Sequence, residues 1–203
     1  METGSRKPNA RGRGEQLRAE IVTAACAMLD ELGDDEALSL RAVAREVKIA
    51  ATSVYLHFPD RDSLVLAVMA HFNEQMLDAG RRGEAAQSSA PAKLRGLIHG
   101  LANHALKYPG LFKVMHESKV NRVIGMPFKQ ALGQATVAAV QRCIDEGSAT
   151  PGDAAVIATD LRAAVTGMLS LRINEPDLPW PPVDQQIDRF LTKLVGLSVP
   201  AER

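Results

Sequence analysis

Apolar residues recur at three- and four-residue spacing along most of this chain, and that period predicts helices. Between Arg13 and Leu32 the stripe is Leu17, Ile21, Ala24, Ala25, Met28, Leu29 and Leu32, with Gly33 placed to end the helix. Leu40, Val43, Ala44 and Val47 share one face of a short second helix, which Ser39 can cap by accepting a backbone N–H. Lys48, Ile49 and Ala50 form a turn, and a third short helix points Val54 and Phe58 inward. Asp60 suits the N-cap of a fourth helix that carries Leu64, Val65, Ala67, Val68, Phe72, Met76 and Leu77 to about Ala79. The polar, glycine-bearing run from Gly80 to Ala90 reads as a loop.

A fifth helix spans about Pro91 to Lys107, and Tyr108-Pro109-Gly110 breaks it. A sixth covers about Pro109 to Lys119, and residues 121–126, NRVIGM, read as a loop. Pro127 suits the first turn of a seventh helix running to about Glu146. Thr150 and Asp153 read as the capped start of an eighth, which runs to about Asn174. Glu175 to Val183 holds four prolines and must be an extended connector to a ninth helix, about Asp184 to Leu197. Strand-like alternation is scarce. The pattern predicts an all-α fold of about nine helices without internal repeat: a flexible basic tail (1–12), a three-helix unit (13–59) and a larger helical domain (60–203).

The 203 residues are 46% hydrophobic but only 4% aromatic, which favours long helices packed through small side chains over a sandwich or barrel. Net charge is zero, so partners must be inferred from where the charge sits. Residues 1–18 carry five basic and two acidic side chains, and Ser39 to Lys48 carries three and one. The acidic cluster Asp30, Glu31, Asp34, Asp35 and Glu36 lies between these basic stretches and is expected to face away from any polyanion. Cys26 and Cys143 fall on different helices without pairing or metal spacing, so both are expected to be reduced and buried. The basic N-terminus lacks the apolar core of a signal peptide. No run of about eighteen apolar residues marks a membrane span. A cytoplasmic protein without membrane contact is expected.

The segment Leu38 to Phe58 therefore reads as a helix-turn-helix, whose second helix enters the major groove of DNA while the first crosses the backbone. It resembles the DNA-binding domain of the TetR family of bacterial transcriptional regulators. The resemblance is carried by Arg13, Leu17, Ile21, Ala24, Ala25 and Leu32, then Ser39, Leu40, Val43, Ala44, Val47, Val54, Tyr55 and Phe58. The turn FPDRDSL completes it. Two positions depart from the family pattern. Lys48 stands where glycine is usual, so it must bear backbone strain or the turn must differ. Arg61 stands where lysine is usual, a change of small consequence for a phosphate contact. Asn103 to Ser118 and Leu169 to Val183 also resemble the ligand-binding domain of one branch of these regulators.

The resemblance implies base-edge contacts from Thr52, Ser53 and Tyr55, with Ala51 close to the groove, and phosphate contacts from Ser39, Arg41, His57 and Arg61. Tyr55 reads alternatively as a phosphate contact or a packing residue, and Arg45 as a phosphate contact or a solvated charge. No arginine lies on the third helix to read guanine bidentately, so the operator sequence is not legible. An effector cavity between the fourth and eighth helices is implied, with Phe72, Met76, His104, Phe112, Met115, His116, Phe128, Met168 and Arg172 as candidates. The eighth helix is apolar over a wide arc (Ala154, Ala155, Ala158, Leu161, Ala164, Val165, Met168) and must meet more than one neighbour. The resemblance assigns a homodimer interface to helices near 153–174 and 184–197. His99, His104 and His116 lack ligand spacing and acidic or cysteine partners, so neither a metal nor a cofactor is expected.

The expected function is a ligand-responsive repressor that binds a palindromic double-stranded operator as a dimer and is released by a small molecule. The fourth helix would act as the lever. An all-helical carrier or enzyme with a vestigial helix-turn-helix is the alternative, but no Gly-x-Ser-x-Gly, His-Glu-x-x-His or glycine-rich phosphate loop supports catalysis. A regulator that answers to another protein is a third reading, separated from the first by whether a cavity exists.

Overall fold

The computed structural model describes residues 10–120 and 127–197. The basic tail and the NRVIGM loop therefore lie, wholly or mostly, outside the described residues. Those described form helices α1 (Ala10–Leu32), α2 (Leu40–Glu46), α3 (Ala51–His57), α4 (Arg61–Ala85), α5 (Ala90–Lys107), α6 (Pro109–Glu117), α7 (Pro127–Asp145), α8 (Ala154–Asn174) and α9 (Val183–Phe190). A π-helical turn, Leu191–Val195, extends α9. No strand occurs among the described residues, and the fold is all-α.

The ends of the helices follow local chemistry. Gly33 adopts a left-handed φ of 61° and its N–H bonds the Leu29 carbonyl at 2.9 Å, closing α1. Ser39 Oγ accepts from Ala42 N at 3.1 Å to cap α2. Asp60 and Ser63 form a reciprocal capping box at the start of α4. Asp153 is itself the N-cap of α8, accepting from Ala155 N (2.8 Å) and Val156 N (3.3 Å). Thr150 does not cap that helix; its N–H donates to the Val195 carbonyl at 3.0 Å and ties the loop to the π-helical turn.

The stretch Gly80 to Ala90 is mostly helical and not a loop. Helix α4 does not end near Ala79 but continues to Ala85, and the connection shrinks to residues 86–89. The glycines that suggest a loop are contact residues. A Cβ on Gly83 would lie 2.1 Å from the Gly96 carbonyl oxygen, and one on Gly96 would lie 2.2 Å from that of Gly83. Helices α4 and α5 thus approach backbone to backbone, and tertiary packing offsets glycine's low helix propensity.

Around this pair the core is built from Ile21 and Leu29 of α1, Phe58, Leu64, Met69 and Phe72 beside α4, Leu94 and Leu97 of α5, and Leu161 of α8. Ile187 and Leu191 close it from the C-terminal end. Arg95 clamps α5 to α9 by donating to both carboxylate oxygens of Asp188, at 2.6 and 2.8 Å. Arg142 of α7 pairs with Glu84 of α4. Arg172 of α8 stacks on Trp180 of the proline-rich connector with 5.1 Å between guanidinium and ring centre, and Trp180 Nε1 donates to Glu175 O at 2.9 Å. Both cysteines are free thiols. Burial, reinforced by Asp30, pushes Cys26 up to about 12, and burial also raises Cys143.

Helix α8 is the one described helix long and apolar enough, by length and composition alone, to cross a membrane. It carries Asp160, Arg162 and Arg172 and packs on α5, α6, α7 and α9. Only 33% of its most apolar stretch is buried within the chain, and Val156 and Leu171 lie exposed.

Candidate nucleic-acid interface and effector cavity

Helix α3 is anchored by one buried residue, Val54, with Phe58 just beyond it, and this fixes what the other face presents. Thr52 is exposed, Tyr55 is 47% exposed and Leu56 is 85% exposed, while Ala51, Ser53 and His57 are half-buried. Tyr55 is thus placed outward rather than packed inside. Leu56 escaped the sequence reading, although its position beside Tyr55 on a seven-residue helix was the available signal. A leucine held this far into solvent makes no contribution to the core.

Arg41 and Arg45 of α2 and Lys48 of the turn are exposed beside this face. Lys48 has φ 59°, the one positive φ at a non-glycine position among the described residues. The turn therefore keeps the left-handed geometry that favours glycine, and lysine carries the strain. Arg61 bonds the adjacent Asp62 carboxylate at 3.0 and 3.2 Å, an exposed pair that a phosphate can displace at little cost. Arg18 of α1 lies over the Phe58 ring, 4.8 Å from its centre, and locks α1 to the end of α3.

The acidic cluster faces the larger domain. Asp30 Oδ1 accepts from the N–H groups of Gly110 (2.9 Å) and Leu111 (3.1 Å) at the start of α6. Lys119 Nζ reaches Glu36 at 2.6 Å. Asp34 caps its own 3-10 turn by accepting from Glu36 N at 2.9 Å, and Asp35 is buried there. The three-helix unit is thereby fastened to both ends of α6.

Helix α6 also lines a cavity of about 100 Å³ between α4, α5, α6, α7 and α8. Its apolar wall is Met76, Ile98, Leu101, Phe112, Met115, Leu132, Val165 and Leu169, and its polar groups are Asn73, His116, Thr136, Arg162 and Thr166. Met76, Phe112, Met115 and His116 of the expected set lie on this wall. Phe72, His104, Phe128, Met168 and Arg172 do not. Phe72 and His104 stack in the core with Tyr108, the ring centres 5.4 Å (Phe72–His104) and 5.0 Å (His104–Tyr108) apart. Phe128 lines a surface groove between α1, α4 and α7, and Met168 is buried in the core. Arg172 is held by Gln186, at 2.7 Å, and by the connector.

Spacing alone overlooked Asn73, Thr136 and Arg162, because one-helix periodicity does not tell a core-facing polar residue from a cavity-facing one. Asn73 Nδ2 donates to Phe128 O at 2.8 Å and Thr136 Oγ1 to Leu132 O at 3.1 Å, so both buried groups are satisfied within the chain. No cluster of three metal-ligating side chains occurs among the described residues.

Residues 21–68 match the family described as bacterial regulatory proteins, tetR family. The nucleoid occlusion factor SlmA of Aliivibrio fischeri (strain MJ11) is 23% identical over 193 residues, covering 88% of this chain and 91% of that protein. A solved protein of unknown function from Rhodococcus sp. RHA1 is 28% identical, covers 88% of this chain and 95% of its own, and superposes with a TM-score of 0.75. RolR, solved in complex with its ligand resorcinol, is alike in fold at a TM-score of 0.68, with 19% identity over 92% of this chain and 91% of its own. The segment 21–68 thus carries the match to the tetR family of bacterial regulatory proteins, and the all-helical fold around it is like that of solved TetR-family regulators.

Proposed function

We propose that this DNA-binding regulator is a cytoplasmic repressor that grips a palindromic operator as a homodimer and lets go when a small molecule enters the α4–α8 cavity. The observation that carries the reading is α6. One helix lines the cavity with Phe112 and Met115 and has its N-terminus held by Asp30 of the DNA-binding unit. A ligand that binds better to one arrangement of α6 than another therefore shifts the orientation of α3 through its differential affinity.

In this reading residues 13–59 form the reader, with Ala51, Thr52, Ser53 and Tyr55 toward the bases and Ser39, Arg41, His57 and Arg61 toward phosphates. Residues 60–203 form the effector and dimerisation domain. The uncovered apolar face of α8, with Val156, Gly167 and Leu171 on it, supports pairing through α8 and α9 with a second copy. Two reader helices then stand about 34–36 Å apart, one turn of DNA. The cavity favours a metabolite over a protein as the signal, since a filled core leaves no room for an inducer. The solved complex of RolR with resorcinol supports the same assignment by likeness of fold.

The test is binding to DNA upstream of the coding region, by fluorescence anisotropy across a salt series with excess competitor. Tight binding that survives competitor, and that a Thr52→Ala/Tyr55→Ala double variant loses while staying folded, is expected. Equal binding by that variant would overturn the site assignment.

A further inference from the structure

We infer that the α4–α8 cavity takes a compact, mainly apolar anion, a single-ring monocarboxylate, oriented with its carboxylate at Arg162. This rests on reading the cavity as the effector site, and it adds the charge and size of the effector.

The charge follows from the lining. Among the described residues no aspartate or glutamate lines the cavity, whereas Arg162 does. A cationic ligand would meet no counter-charge in a wall that is otherwise mostly apolar, and a desolvated unpaired charge is costly. Arg162 has no hydrogen bond or ion pair among the described residues, in contrast to Arg61, Arg142 and Arg172, each of which has a partner. Its guanidinium rests against bare backbone, with one terminal nitrogen 3.3 Å from where a Cβ on Gly133 would lie. It therefore sits at the seam of α7 and α8 with its planar fork available, the geometry that suits a carboxylate.

The orientation follows from the spent donors. Thr136 gives its hydroxyl proton to Leu132 O and Asn73 gives an amide proton to Phe128 O. A carboxylate placed deep in the cavity would meet the Thr136 oxygen as an acceptor and only the second N–H of Asn73 as a donor. At Arg162 it meets donors, while the ring lies among Met76, Leu101, Phe112 and Leu169. The size follows from the volume. About 100 Å³ is smaller than the roughly 150 Å³ that holds benzene, so one ring is the upper limit and enters as the flexible Met76 and Met115 give way.

The test is isothermal titration of the full-length protein with benzoate, benzamide and benzylamine, on wild type and on Arg162→Gln, with circular dichroism on each. Wild type is expected to bind benzoate at least tenfold more tightly than benzamide and to reject benzylamine. Arg162→Gln is expected to bring benzoate to the level of benzamide with unchanged helicity. If benzamide or benzylamine binds wild type as well as benzoate does, or if Arg162→Gln keeps its preference for benzoate, the anion assignment falls and the effector cavity stands. If no ring compound of any charge binds, both fall, and operator binding measured on the same preparation is unaffected by that result.

Discussion

The Asp30 carboxylate of α1 caps α6 from outside, accepting the N–H groups of Gly110 and Leu111 across 80 residues of sequence. Tyr108, at the N-cap position of α6, offers no side-chain cap of its own. The chain approaches so closely here that a Cβ on Gly110 would lie 2.0 Å from the Asp30 carbonyl oxygen. Replacing Asp30 with alanine leaves two helix N–H groups unsatisfied, at a cost of about 1–2 kcal/mol. Because this contact joins the reader to a cavity wall, Asp30→Ala is expected to retain operator binding but to lose most of its response to effector. Anisotropy with and without the effector checks this. A full response in Asp30→Ala would place the coupling elsewhere.

Backbone contact between α4 and α5 predicts a sharp asymmetry among glycines. Gly96→Ala drives a Cβ against the Gly83 carbonyl, which cannot move without parting the helices, and is expected to cost about 2–3 kcal/mol. Gly14→Ala meets nothing within 4 Å and is expected to stabilise by about 0.5–1 kcal/mol. Urea denaturation of the two variants decides it.

Leu56 is too exposed to matter to the fold, so Leu56→Ala is expected to leave stability within about 0.5 kcal/mol. If it is buried against DNA, as its place beside Tyr55 suggests, losing it weakens operator binding about tenfold, the equivalent of a partly buried leucine. The salt dependence should not change, because no charge is removed. Arg41→Gln, by contrast, should lower the slope of log affinity against log salt by about one. A Leu56→Ala variant with wild-type affinity would show that the residue does not reach the operator.

Acid is expected to destabilise the protein before any carboxylate titrates. Burial lowers His99 below its ordinary 6.5, helped by Arg95, and lowers His104, helped by Lys107 and Arg82. Burial thus favours the neutral form of both: neither buried Nε2 atom makes a hydrogen bond, and the Asp188 carboxylate 3.9 Å from His99 Nε2 opposes the shift there without reversing it. The unfolded chain takes up these protons first. Stability is therefore complete above about pH 6.5 and is lost as pH falls from there toward the folded values. Asp188, held below its ordinary 3.8 chiefly by its hydrogen bonds with Arg95, adds a second loss only as pH falls below that value. Thermal melts are expected to be flat from about pH 7 to 8 and to drop by about pH 5.5, with the drop reduced in a His99→Gln/His104→Gln variant. Higher melting temperatures at low pH would contradict this.

Gly167 lies on the uncovered face of α8, and a Cβ there meets nothing within 4 Å in the single chain. Gly167→Trp should leave helicity intact while converting a dimer to a monomer in sedimentation equilibrium, with loss of operator affinity. A dimer that tolerates the tryptophan would have its interface on another surface.

The helices and the helix-turn-helix pattern are legible in the sequence alone. Helical spacing set nearly every element, because each helix buries one stripe, and Ser39, Asp60 and Gly33 mark their ends through bonds made within a few residues. The strain at Lys48 was legible because a left-handed turn is a local requirement. Tertiary structure decided whatever depends on a second helix. The glycines of α4 read as a loop until α5 is packed against them, since a close backbone approach leaves no trace in one helix's own periodicity. Asp30 reads as a surface acid until α6 brings its N-terminus alongside. The division of buried residues between core and cavity was equally hidden. Phe72 and Phe112 have the same chemistry and spacing, and only the meeting of five helices leaves a gap beside one and none beside the other.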